Sequence, residues 1–289
     1  MKINVKVINA FSVKNTGGNP AGVVFNADCL SAIQKQNIAA QLGYAETAFV
    51  SQSTKADFKL DFFTPTKQIP HCGHATIATF TYLKQIGKVQ ASCSSKETID
   101  GNRTIVYKGS FAFMEQKAPY YIMPEKELPL ILQSLGITAD DLKEGLLPTI
   151  VNTGNSFLIV PLKSETALAH LQPDMELIAA VSAPYNLIGY YVYAPSADGN
   201  LDATARMFGP YYGIQEEAAT GMAAGPLACF LYEKENRQKT EIQIEQGRYM
   251  TPASPSLITV HLDVDDGRIS RLFAGGDAYV SGEKTLELS

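Results

Sequence analysis

The stretch from Gln68 to Phe80 reads QIPHCGHATIATF. His71, Cys72 and His74 crowd into four residues, directly ahead of a run of small and apolar residues with the pattern of a helix. Three chemistries fit such a turn. It could hold a metal, present a thiol nucleophile, or open a helix N-terminus towards an anion.

The choice depends on whether the turn has a counterpart. FFTPTKQIPHCGHAT (Phe62 to Thr76) is echoed by MFGPYYGIQEEAATG (Met207 to Gly221), with Phe63, Pro65 and Ile69 matching Phe208, Pro210 and Ile214 at a constant offset of 145 residues. GNPAGVVF from Gly18 is echoed by GNSFLIV from Gly154, and GYAETAFV from Gly43 by GYYVYA from Gly189. Three collinear echoes at half the chain length point to two copies of one unit. Each copy has β-rich segments (INVKVINAF, AGVVF and FKLDFF; SFLIVPL and IGYYVYAP), then the Phe-x-Pro loop, then a helix, then more strands. Helices are expected within Cys72–Lys84 and Thr220–Lys234. Their small residues suit enclosure by a curved sheet, and Pro226 implies a kink or a helix start at its own turn. The Pro-rich run KAPYYIMPEKELP marks a junction near Ala118.

With 289 residues, 45% hydrophobic and 18% charged, the chain has the composition of one large or two ordinary globular domains. A net charge of −5 advertises no basic surface for nucleic acid or an anionic membrane. No apolar run is long enough for a bilayer, and MKINVKVINAFSV alternates like a strand rather than a signal peptide. Cys29, Cys72, Cys93 and Cys229 lack framework spacing, so reduced thiols in a cytosol are expected.

A metal needs three or four converging ligands, and HCGH has no second Cys/His pair nearby, so no metal is expected. A thiol at a helix start is activated by the dipole. A two-cysteine racemase, however, needs a second thiol, and the echoing stretch offers Glu217 or Ala218 opposite Cys72. CGHAT and AATGM both place Gly, Thr and free backbone N–H groups at a helix start, which suits a carboxylate or an enolate oxygen. In a pseudo-twofold protein the two mouths would face each other across a cleft. Glu46 is a single carboxylate in the strand-like run YAETAFV. Turned outward it is merely solvated; turned inward, desolvation would suit it to shuttling a proton.

As a set, GNPAGVV, YAETAFV, FFTPTKQIPHCGHAT, EEAATGMAAGPLACFL and the closing FAGGDAYVSGEKTLEL resemble the phenazine-biosynthesis PhzF-like proteins over essentially the whole chain. The resemblance implies an α+β fold of two pseudo-symmetric diaminopimelate epimerase-like domains, each a β-barrel-like sheet around a central helix. The domains would span 1–117 and 118–276, with a strand at 277–289 returning to the first. It implies a homodimer with no metal or organic cofactor, and a small anionic substrate bound between the domains. The family's acid/base glutamate falls on Glu46, its histidine on His74, its aspartate on Glu217 and its serine on Met222. Asn19, Cys72, Gly73, Ala75, Thr220, Gly221 and Met222 are the implied substrate-binding positions. Gln68 and Ala218 replace a usual Glu and Pro. The expected activity is proton transfer by a cofactor-independent isomerase. An epimerase of the same fold and a non-catalytic binding protein are the alternatives.

Overall fold

The structure, a computed structural model, describes residues 1–197 and 199–287. The final two residues of the expected C-terminal strand lie outside them. The chain divides into two compact units, Met1–Glu115 with Gly275–Ser289, and Gln116–Ala274. The elements that run to the unit boundary are β1 (Lys2–Ala10), β2 (Asn19–Val24), α1 (Ala32–Leu42), β3 (Thr47–Ser51), β4 (Phe58–Phe63), β5 (Gln68–Ile69), α2 (Gly73–Gln85), β6 (Cys93–Thr98), β7 (Gly101–Lys108) and β8 (Phe111–Gln116). Next come β9 (Tyr120–Ile122), α3 (Leu128–Leu135), β10 (Thr149–Asn152), β11 (Ser156–Pro161), α4 (Glu165–Ala169), α5 (Met175–Tyr185), β12 (Gly189–Ala194) and β13 (Ala203–Gly209). The chain closes with β14 (Ile214–Glu217), α6 (Gly221–Glu233), β15 (Glu241–Gln246), β16 (Ser256–Asp265), β17 (Arg268–Gly276) and β18 (Ala278–Glu287).

The duplication is written in the strand pairing. In the first unit β18, β1 and β2 run antiparallel in that order, β2 is parallel to β3, β3 antiparallel to β4, β4 parallel to β6, and β6 antiparallel to β7. The second unit repeats the sequence of senses through β9, β10, β11, β12, β13, β15 and β16. Each parallel step needs a crossover. In the first unit α1 and α2 supply these, and in the second α4 with α5, and α6. Each copy ends by giving a strand to the other unit: β9 follows β8 yet pairs with β10, and β18 follows β17 yet pairs with β1.

Both predicted helices form. Ten of the thirteen residues of α2 and eleven of the thirteen of α6 are buried, on every side of each helix, as an enclosed helix requires. α2 touches β1, β2, β3 and β18, and α6 touches β10, β11 and β16. Burial of Ile77, Phe80 and Leu83 stabilises the first unit by roughly 1.5–3 kcal/mol per side chain. The buried threonines of α2 need partners in this dry setting. Thr76 and Thr79 donate to the carbonyls of Cys72 and Ala75, one turn back. α6 starts at Gly221 and carries Pro226 inside it, so Pro226 is not the helix start.

One echo is misaligned. Thr47 pairs with Phe63, and Tyr190 pairs with Phe208, so Thr47 corresponds to Tyr190, an offset of 143 residues. Matching Gly43 to Gly189 slips by three, because Gly43 is the left-handed cap of α1 (φ 70°) whereas Gly189 opens a strand. Glu46 therefore corresponds to Gly189. A Cβ there would stand 2.3 Å from the Phe208 carbonyl oxygen. The second unit has no room for any side chain at the position that holds the glutamate in the first. Gly189→Ala is expected to lower unfolding free energy by about 2–3 kcal/mol, as overpacking against backbone does, measured by urea denaturation. A variant as stable as wild type would contradict this packing.

Candidate active site

Glu46 is not in the strand, as the sequence pattern suggested, but one residue ahead of it. Ser31 closes a capping box at the start of α1, Gly43 ends the helix, and the Glu46 carbonyl accepts the Gly22 N–H at 3.2 Å. The side chain is thereby set beside the start of α2. Its Oε2 lies 3.4 Å from His74 Nε2, with the two side chains 16% and 4% exposed. On the other edge of the same ring, His74 Nδ1 lies 3.7 Å from Cys72 Sγ. The imidazole stands between a thiol and a carboxylate, with one nitrogen towards each.

This arrangement bears on each of the three chemistries. Ligand atoms of Glu46, Cys72 and His74 lie within 4.8 Å of one another. A metal bound to both the thiol and the carboxylate would need one imidazole nitrogen at about 2 Å, whereas the ring offers a different nitrogen to each. His71 turns away, its Nδ1 3.1 Å from Lys96 Nζ. The thiol is not activated. Burial pushes Cys72 up and the Glu46 carboxylate adds to this, while His74 and the Ala75 N–H offset only part. Desolvation thus works against a thiolate at this helix start. No side-chain cap hydrogen bond is made at the start of α2, and the positive end of a helix favours an anion. Gly73 and Ala75 belong to this turn, and Asn19 is buried at the head of β2, opposite Ala10.

Sequence reasoning missed Lys96. It is fully buried on β6, its Nζ donates to Thr76 Oγ1 at 2.6 Å, and it lies 5.2 Å from the centre of the Phe62 ring. Thr76 in turn donates to the Cys72 carbonyl at 2.6 Å, so the lysine braces the turn that presents Cys72 and His74. Burial pushes its amine down to about 7; Cys72 opposes that shift and Arg103 adds to it. Burial, then Lys96, lower His71 well below its ordinary range, so its neutral Nδ1 can accept from the lysine. The alternation of CSSKET put Lys96 in phase with the buried Ser94 and Thr98, but a strand lysine reads as exposed.

In the second unit Glu217 ends β14 and receives the Thr220 hydroxyl at 2.5 Å. Gln246, fully buried and also unforeseen, fixes this mouth. Its Nε2 donates to the Glu217 carbonyl at 2.6 Å, and its Oε1 accepts the Thr220 N–H and the Tyr191 hydroxyl, each at 3.0 Å. The start of α6 likewise lacks a side-chain cap. Counted from the helix starts, Thr220 rather than Glu217 or Ala218 corresponds to Cys72, and Met222 corresponds to His74. Asn155 donates to the Met222 sulfur at 3.5 Å, and Gln116 to the Gly221 carbonyl at 2.9 Å. Gln68 is exposed on β5 and Ala218 is buried.

Residues 8–283 match the PhzC-PhzF family model, described as phenazine biosynthesis-like protein. The chain belongs to this family. It is 31% identical to the uncharacterized isomerase YddE of Escherichia coli K12 over 97% of each chain. It is 29% identical to trans-2,3-dihydro-3-hydroxyanthranilate isomerase of Pseudomonas chlororaphis over 98% of each. A crystal structure of a PhzF-family phenazine biosynthesis protein from Bacillus anthracis superposes with a TM-score of 0.89 at 27% identity, covering all of both chains. Among the described residues no helix is long and apolar enough to cross a membrane.

Lys96 sheds its proton near pH 7 in the folded protein, whereas the unfolded chain keeps it to about 10.5. The unfolded state therefore holds more protons across that window, and this group's contribution to stability rises with pH there. Below pH 7 both states are charged and the burial cost is full. Lys96→Met should gain most over wild type below pH 7. Its advantage should shrink by on the order of 4 kcal/mol towards pH 10.5, read from urea unfolding across the range. Parallel stability curves would contradict a strained lysine.

Proposed function

We propose that this family member is a cofactor-independent isomerase that moves a proton on a small carboxylate-bearing substrate, amino-acid-like or dihydro-aromatic. The observation that carries the reading is the 3.4 Å approach of Glu46 to His74 at an uncapped helix start, with both side chains largely withdrawn from water. A carboxylate so placed can take a proton from carbon and return it, and the adjacent imidazole and helix N–H groups can stabilise the developing negative charge. Glu217 assists by positioning an amine or shuttling a proton. Asn19, Cys72, Gly73, Ala75, Thr220, Gly221 and Met222 contribute binding surface rather than chemistry. The dihydro-aromatic class is supported by the name of the Pseudomonas chlororaphis relative. The protein is proposed to act as a cytosolic homodimer, as the family resemblance implies.

An epimerase needs an acid/base on each face of one carbon. The positions in the second unit that match Glu46, Cys72 and His74 are Gly189, Thr220 and Met222, none of which titrates usefully. That asymmetry favours the isomerase. Glu46→Gln keeps the shape but cannot exchange a proton. It should leave stability within about 1 kcal/mol of wild type and lower turnover by roughly 10²–10⁴-fold, with binding of a substrate analogue retained. Turnover equal to wild type, on a substrate found by screening dihydro-aromatic and amino acids, would make Glu46 structural.

A further inference from the structure

α2 runs about 18 Å from the mouth at Gly73 to its far end at Gln85. At that far end, still within the first unit, lies a cavity of about 540 Å³ that the proposed chemistry does not use. Its size falls within the roughly 300–1,000 Å³ of small-molecule sites. Phe25, Phe58 and Tyr82 line it. The Phe25 and Tyr82 rings pack 5.5 Å apart at 42°, and Phe58 is held edge-on against Phe80 at 5.8 Å. These walls are therefore fixed by packing. Ser51 also lines the cavity, and its buried hydroxyl has no hydrogen-bond partner in the protein.

The charge at the rim selects among flat ligands. Asp28 and Asp57 stand against the single Lys88. Asp28 Oδ1 accepts the Gln52 N–H at 2.8 Å, and Asp57 Oδ2 accepts from the Ser94 hydroxyl and the Ser95 N–H. Each carboxylate is thus held by one oxygen and keeps the other for a ligand. The negative end of the α2 dipole lies at this same end. Aromatic faces and net negative charge together favour a cation carried on a ring system.

We infer that this cavity binds a flat aromatic amine in its cationic form, at a place distinct from the mouth at Glu46 and His74. The inference is independent of the isomerase reading. Tryptamine is the probe, with indole-3-acetate as the control of similar ring and opposite charge, both followed by calorimetry and saturation-transfer NMR on the whole protein. Tryptamine should bind saturably, and indole-3-acetate about tenfold or more weaker. Phe58→Ala should weaken tryptamine by roughly tenfold, the pair Asp28→Asn and Asp57→Asn by about fivefold, and Lys88→Glu should tighten it. Lys88→Glu lies on an exposed side chain, so it tests the charge argument even where Phe58→Ala fails to fold. Glu46→Gln should leave tryptamine binding unchanged. The inference is overturned by absence of saturable binding up to about 10 mM, by equal binding of the two indoles, or by binding lost in Glu46→Gln and kept in the cavity variants.

Discussion

A helix surrounded by strands on every side can reach polar surroundings only at its ends, and both enclosed helices here begin without a side-chain cap. Capping residues usually satisfy the first N–H groups of a helix, and a helix start that lacks them attracts negative charge. In each unit the side chain at the cap position meets a titratable neighbour. Cys72 faces His74, and Thr220 gives its hydroxyl to Glu217. The surrounding groups follow from this. Lys96 and Thr76 brace the first turn from below, and Gln246 ties the second to β15. Thr76, Lys96, Thr220 and Gln246, all buried, hold the two helix starts in place.

The two copies share a backbone and differ in chemistry. Strand senses repeat step for step, yet a carboxylate in the first unit corresponds to a glycine pressed against a carbonyl in the second, and an imidazole corresponds to a thioether. A duplicated fold with matched acids would suit inversion of a stereocentre. One acid/base beside one imidazole suits moving a proton and returning it. Cys72 has the place of a catalytic thiol without its electrostatics, since burial and the neighbouring carboxylate keep it protonated.

The parts of this protein that were legible in the sequence are those written by short-range pattern. The repeated Phe-x-Pro loop disclosed the duplication, and the small-residue runs after Cys72 and Thr220 disclosed the enclosed helices. What failed depended on insertions and on burial. The loop ahead of α6 is three residues longer than that ahead of α2, so a fixed offset set Glu217 or Ala218 against Cys72 when the helix starts match Thr220 to it. Glu46 left its strand because α1 ends at Gly43 and the chain needs Tyr44 to Glu46 to turn back. Lys96 and Gln246 act through partners 20 or more residues away, and no local pattern separates a lysine that braces a turn from one that faces water.

The central claim is that the pair of Glu46 and His74 moves a proton without inverting a stereocentre, and its most direct test is reaction in D2O. The wild-type protein is incubated with a panel of dihydro-aromatic acids and single-enantiomer amino acids, and products are read by NMR for deuterium and by chiral separation for configuration. The account predicts a shifted double bond with deuterium at the carbon that receives the proton, and unchanged configuration in every amino acid. Deuterium at an α-carbon accompanied by inversion would contradict it, and would require a second acid/base that the second unit does not supply at the matching positions.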